Sequence, residues 1–267
     1  MYERLHVECP TLVKLYKLCL AEVARKLSED WSPQQISGWL REEFADDARM
    51  QASHETIYRS LFVQARGVLK KELVHHLRSG RLFRRSRHST TKGQGRGTIK
   101  DAASIRERPA EAEDRAVPGH WEGDLLAGSG NTHIATLVER RSRFTILVKV
   151  DSKDTQTVVK ALQRRVRTLP RQLRRTLTWD RGLEMASHRD FTVATNVKVY
   201  FCDPRSPWQR GTNENTNLLL RQYFPKGTDL AVHTQAHLDR VARRLDGRPR
   251  QTPGFKTPAF MISRLLR

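Results

Sequence analysis

Three acids stand where the sequence gives them something to do. Asp124 interrupts an apolar run, with Leu125-Leu126-Ala127 directly after it, and an ionised carboxylate there is costly unless it is paired or holds a metal. Asp180 follows Leu177-Thr178-Trp179, Glu214 lies in the polar run Thr212–Asn217, and 33 residues separate the two. Hard divalent ions such as Mg²⁺ or Mn²⁺ are held by small sets of Asp and Glu oxygens. Two such ions about 3.5–4 Å apart supply an activated oxygen nucleophile, in-line geometry and charge relief at phosphorus. The chemistry these three acids could do together is phosphodiester transfer. Singly, each has a plainer use: a strand-end Asp in solvent, a turn residue before Arg181-Gly182, and a Glu favouring a helix N-terminus.

The elements that must position them alternate between the two hydrophobic periods. Trp121–Ala127 reads as a strand carrying Asp124. Ile134–Val138 and Phe144–Val150 are two more strands, joined by a tight polar turn from Glu139 to Arg143, and the three should pair as an antiparallel meander. Residues 154–169 read as a helix with Val158, Val159, Leu162 and Val166 on one face. Thr176–Trp179 is a short strand ending at Asp180, residues 184–194 are helical, and Val197–Phe201 is a fifth strand. A polar loop, 202–211, leads to a helix over 212–222 that carries Glu214 in its first turn. This order predicts an α/β catalytic core of the ribonuclease-H-like class, a mixed five-stranded sheet with helices.

Upstream, the pattern is helical. Leu20, Val23, Ala24 and Leu27 mark one helix; Ser32 caps a second over 33–44, with Pro33 first and Gln35 completing a capping box. Ser53 caps a third, which carries Ile57, Leu61 and Phe62. Three short helices fit an all-α helix-turn-helix reader, whose third helix would present His54, Glu55, Thr56 and Arg59 to the major groove. The same pattern also suits a three-helix packing unit with no DNA contact. From Arg81 to Lys100 there are seven Lys or Arg residues and no acid, in a stretch rich in Gly and Thr. That is a flexible basic linker, with Arg84, Arg85 and Arg87 as candidate phosphate contacts. The expected organisation is 1–66 helix-turn-helix, 67–115 basic linker and 116–267 catalytic core.

Composition narrows the partner. The 267 residues hold 49 Lys and Arg against 29 Asp and Glu, a net charge of +20, which points to nucleic acid, an anionic membrane or another polyanion. No apolar run approaches the roughly 18–20 residues of a membrane span, and no signal peptide precedes the helices, so double-stranded DNA is the better partner. Cys9, Cys19 and Cys202 form no CxxC pair, which argues against a zinc site or a disulfide framework and for a reducing cytoplasm.

Longer motifs then carry a resemblance. Gly119-His120-Trp121-Glu122-Gly123-Asp124, Thr136-Leu137-Val138-Glu139-Arg140, Leu177-Thr178-Trp179-Asp180-Arg181-Gly182 and Trp208-Gln209-Arg210-Gly211-Thr212-Asn213-Glu214-Asn215-Thr216-Asn217 resemble segments of the IS-thirty family of bacterial insertion-sequence transposases. So do residues 219–227 and 248–252 and, in the DNA-binding part, 31–36 and 53–58. The resemblance implies a catalytic triad of Asp124, Asp180 and Glu214, all three as metal ligands, with Mg²⁺ as cofactor. It implies cleavage at terminal inverted repeats, strand transfer into target DNA, and homo-oligomeric synapsis in a nucleoid-associated cytoplasmic protein. Arg181, Arg210, Arg221 and Lys226, close to the acids in sequence, are further candidates for holding phosphates.

Some features depart from the family pattern. Members carry a further helix-turn-helix segment ahead of the part seen here. Leu218 stands where glycine is common, Pro253 where leucine is, and Phe260 where an acid is. These departures leave open a second reading, an impaired copy that binds DNA without cutting it. A ribonuclease-H-type nuclease that cuts without joining is a third.

Overall fold

The computed structural model describes residues 10–62, 99, 101–204, 206–252 and 254–266. The chain divides into two compact units, Met1–Ser86 with Arg248–Thr257, and Arg87–Gly247 with Pro258–Arg267.

In the first unit, α1 (Pro10–Ser28), α2 (Pro33–Glu43) and α3 (His54–Phe62) surround a core of Cys19, Val23, Leu27, Trp31, Ile36, Leu40, Met50, Ile57 and Leu61. Leu27, Ile36 and Leu40 are fully buried, worth about 1.5–3 kcal/mol each. The capping box at Ser32 forms as its sequence predicts, and Ser53 Oγ accepts the Thr56 amide N–H to start α3. Helix α1 begins at Pro10, ten residues before the expected Leu20. The segment 248–257 packs here as well. Arg248 pairs with Asp30 at 3.5 Å, Gln35 Nε2 donates to the Pro249 carbonyl at 2.8 Å, and the Phe255 ring packs against Gly38, where a side chain would clash with it.

The second unit is built on one sheet, in the order β3-β2-β1-β4-β5. A short helix α4 (Ala110–Glu113) precedes β1 (His120–Ala127), β2 (His133–Glu139) and β3 (Thr145–Val150), which form the expected antiparallel meander. The polar turn between β2 and β3 closes on the buried Glu139, whose carboxylate accepts the Ser142 N–H and hydroxyl, both at 2.6 Å. Helix α5 (Thr155–Arg167) crosses to β4 (Thr176–Trp179), and α6 (His188–Thr195) crosses to β5 (Lys198–Phe201); β1, β4 and β5 are parallel.

Alternation along the strands splits two cores. Trp121, Ala135, Leu137, Ile146 and Val148 face α5 and α6; Leu126, Ile134 and Leu147 face α7 (Gly211–Leu220) and α8 (Gln235–Asp246). A last helix, α9 (Pro258–Leu265), sets Ile262 into the first of these cores. Helix α6 starts four residues later than its pattern suggests. The preceding Leu183–Met185 forms a separate 3₁₀ turn, in which Glu184 accepts the Trp179 indole N–H at 3.0 Å.

Candidate active site

The parallel pairing of β1 with β4 runs His120 to Thr176, Trp121 to Leu177 and Glu122 to Thr178. Continued two residues along both chains, the same register sets Asp124 abreast of Asp180. Close approach of the two strands depends on Gly123, where a Cβ would come within 2.2 Å of the Trp179 ring. Glu122 and Asp124 share the strand face turned to α7. Asp124 Oδ1 accepts the Leu125 N–H, and Asp180 Oδ1 accepts the Gly182 N–H, both at 2.9 Å.

A guanidinium lies between the two aspartates. Arg210 Nη1 is 3.3 Å from Asp124 Oδ1 and Nη2 is 3.5 Å from Asp180 Oδ2, while Nη1 also donates to the Gly123 carbonyl at 2.9 Å. Burial works against the charge of Arg210, but Asp124 and Asp180 outweigh it and hold its pKa above the ordinary value. For Asp124, burial pushes the carboxyl pKa up, Arg210 pulls it down, and the charge of Asp180 pushes it up again. Two carboxylates so close need a cation, and here a side chain supplies it.

Helix α7 is docked on β1 and β2 through its polar face. The Asn213 N–H donates to Glu122 Oε2 and its side-chain Nδ2 to the Glu122 carbonyl, each at 2.9 Å, and Thr136 Oγ1 donates to Asn213 Oδ1 at 3.1 Å. The other oxygen of Glu122 accepts from Arg140 Nη1 at 2.6 Å. One turn on, Asn217 Nδ2 donates to Asp124 Oδ2 at 3.2 Å. Glu214 lies between these two asparagines in sequence and faces solvent. Protein close around it nevertheless raises its pKa by partial desolvation; Arg210 opposes the rise, and Asp124 and Glu122 add to it.

The donor set fits a hard divalent cation at the two aspartates, because an organic cation already bridges them through oxygen atoms. Among the described residues, no three His, Cys, Asp or Glu side chains converge as a ready cage. Glu214 is close enough to Asp124 to feel its charge, yet its side chain stands apart from the pair.

Comparison with known proteins now separates this arrangement from the many other uses of a five-stranded sheet. The integrase core domain family matches residues 114–207, from before β1 to just past β5. The chain is 47% identical over 241 residues to the transposase for insertion sequence element IS1086 of Cupriavidus metallidurans, covering 90% of this chain and 70% of that one. The chain belongs to the IS-thirty (IS30) family of insertion-sequence transposases. It is also 52% identical over 244 residues to the transposase InsI for insertion sequence element IS30A of Escherichia coli, covering 91% of this chain but 63% of that relative's length. A third relative, the transposase for insertion sequence element IS4351 of Bacteroides fragilis, is 34% identical over 239 residues, 88% of this chain and 70% of its own. The IS30-family core is thus the expected ribonuclease-H-like sheet with its helices.

Within this IS30-family chain, the remaining candidates fall into three groups. His54, Glu55, Thr56 and Arg59 are all exposed on α3, with His54 Nε2 3.3 Å from Glu55 Oε1. Near the acids, Arg181 Nε donates to the Cys202 carbonyl and Arg221 Nη1 to the Ala127 carbonyl, each at 3.0 Å; both side chains are half-buried, while Lys226 is exposed. Arg84, Arg85 and Arg87 lie outside the described residues. Arg210 is not a surface group: it is buried between Asp124 and Asp180. Trp121 and Trp179 are buried core residues, and His120 is packed with Nδ1 2.8 Å from Thr176 Oγ1. Leu218 is 63% exposed and Phe260 45%, so neither fills the core; Pro253 lies outside the described residues. Sequence reasoning missed Asn213 and Asn217. Their signal was present, since two asparagines four apart in a helix are poor helix formers and call for a tertiary reason. No described helix is long and apolar enough to cross a membrane.

Proposed function

We propose that this chain cuts DNA at the ends of an insertion element and joins the freed 3′ ends to target DNA. The observation that carries the reading is the pair Asp124, in β1, and Asp180, directly after β4, bridged by Arg210, with Glu214 on the helix docked beside them. The names of the relatives support it.

Asp124 and Asp180, completed by Glu214, are the ligands for Mg²⁺, with Mn²⁺ as a substitute; such ions neutralise the phosphate and activate the attacking oxygen. The chain's own residues do the positioning. Asn217 and the Leu125 N–H fix the two oxygens of Asp124, and the Gly182 N–H fixes one of Asp180. Asn213 and Glu122 hold the first turn of α7, and with it Glu214, against β1. Arg210 lies between the two carboxylates and offsets their charge.

The organisation we propose has helix-turn-helix recognition of double-stranded DNA in 1–66, a basic strap in 67–115 and chemistry in 116–267. The element ends and the target are brought together in a homo-oligomer, in the cytoplasm at the nucleoid. The test is a cleavage and strand-transfer assay on labelled DNA carrying the element's terminal inverted repeats, with Mg²⁺ or with EDTA. Metal-dependent cut and joined products that vanish in Asp124→Asn are expected. DNA that is bound but never cut would replace this reading with the binding-only one.

A further inference from the structure

A cavity of about 490 Å³ opens between β1 and the start of α7, within the roughly 300–1,000 Å³ common for ligand sites. Its walls include Glu122 of β1 and Gly211 at the start of α7, so it adjoins the two elements that carry Asp124 and Glu214. Its other feature is charge. Arg106, Arg108, Arg115 and Arg140 line it, against two carboxylates, Glu113 and Glu122.

Two of these arginines are buried and incompletely matched. The Arg108 side chain is 2% exposed; it donates to Thr178 Oγ1 at 3.1 Å and to Glu113 Oε2 at 2.7 Å, and its Nε has no acceptor. The Arg140 side chain is 7% exposed; Nη1 pairs with Glu122, and its Nε also has no acceptor. Glu122 divides itself between Arg140 and the Asn213 N–H. Burial and the nearby charges of Arg108 and Arg115 press the Arg140 pKa down, against Glu122. Arg115 adds a third guanidinium, held by a residue in left-handed backbone at φ 55°. Glu113, Glu122 and Asp203 match Arg108, Arg140 and Arg106, so Arg115 leaves one positive charge in excess beside two buried Nε–H groups without acceptors, a setting that favours an anion.

At the rim stands Trp208, in the 3₁₀ turn Pro207–Arg210, and it is 72% exposed. An indole is the side chain with most to gain from burial, so one left in water beside a cationic cavity lacks its covering partner. Planar base faces stack on exposed aromatic rings, and their phosphates supply the anion.

We propose that the cavity receives one nucleotide of a single-stranded DNA segment, whose base stacks on Trp208 and whose phosphate is held by Arg108, Arg115 and Arg140. The inference rests on DNA being the substrate, and adds that the DNA enters this side of the site unpaired.

The test uses the full chain in EDTA and a 5′-phosphorylated DNA trinucleotide, too short to be read as duplex, in two forms: intact, and abasic at its central position. Binding is followed by competition against a dye-labelled copy. Trp208→Ala, at an exposed position, is checked for an unchanged Tm. It should weaken the intact trinucleotide roughly 5- to 150-fold, and removing the base should weaken the parent protein equally. The two losses should not add, since both remove the same stack. Arg115→Gln should weaken both trinucleotides alike and flatten the dependence on salt. Equal affinity of Trp208→Ala and parent for the intact trinucleotide overturns the proposal, as do two losses that add in full. If the trinucleotide results hold and element ends are not cut with Mg²⁺, the catalytic reading falls and the subsite stands. If the ends are cut and Trp208→Ala binds like the parent, the subsite falls alone.

Discussion

Asn217 Nδ2 lies 3.2 Å from Asp124 Oδ2, and this single bond ties α7 to the carboxylate at the centre of the sheet. Outer partners of a metal-ligating carboxylate set its orientation, and losing one typically costs about 10- to 100-fold in metal affinity or activity. Asn217→Ala should lower strand cleavage and Mg²⁺ affinity together by about that factor. Calorimetric titration with Mg²⁺ would check it, and unchanged metal affinity would remove Asn217 from the positioning set.

The acids themselves should be less forgiving. Asp124→Asn, Asp180→Asn and Glu214→Gln should each bring cleavage below about 1% of the parent rate, a larger loss than for a supporting residue. Electrophoretic mobility shift should meanwhile show element-end DNA bound as before. Retained cleavage in Glu214→Gln would exclude that residue from the triad.

Arg210 should behave as a counter-ion that metal can replace. Arg210→Gln leaves two carboxylates facing each other, and breaking a buried pair from one side costs about 3–5 kcal/mol. The variant should melt lower than the parent in EDTA. Saturating Mg²⁺ should raise its Tm by more than it raises the parent's, since a ligand stabilises in proportion to its affinity for the folded form. Equal Mg²⁺ shifts for the two proteins would show that Arg210 and the metal do not share a site.

Gly123→Ala tests the approach of β1 to β4. The added methyl meets the Trp179 ring, so overpacking of about 1–3 kcal/mol is expected. Denaturant unfolding should show a lower midpoint with the same slope.

Acid sensitivity at α5 has a defined sign. Asp154 caps the helix by accepting the Thr157 N–H at 2.9 Å, and chiefly that bond lowers its pKa from 3.8 to about 2. Its folded pKa is depressed, so its ionised form stabilises the protein above the ordinary 3.8, and this is lost as pH falls through about 2. Asp154→Asn keeps a capping oxygen without the charge. The Tm difference between parent and variant should be flat above pH 4 and close as pH approaches 2.

Local patterns carried much of this structure. Short β-rich apolar runs marked the strands of the sheet, and Ser32-x-x-Gln35 marked the start of α2. Asp124 was conspicuous because a charge in an apolar strand needs a reason. What local pattern could not supply was pairing at a distance. Arg210 reads as one more surface cation in a chain of +20, and only the fold sets it between two aspartates. Glu184 reads as a helix start, until the Trp179 indole draws it into a separate turn. Residues 248–257 likewise lie beyond α8 in sequence, and no periodicity within them announces that their partners are Asp30, Gln35 and Gly38.

That last segment has a consequence for how the protein is made. A ribosome releases α1, α2 and α3 before the sheet, yet Arg248, Pro249 and Phe255 reach them only after the whole sheet has emerged. The helical unit is therefore synthesised before the sheet and finishes packing after it. During translation its Asp30 and Gly38 surfaces wait uncovered while the sheet folds. A nascent chain stalled just after α8 would hold a complete sheet and an unfinished helical unit.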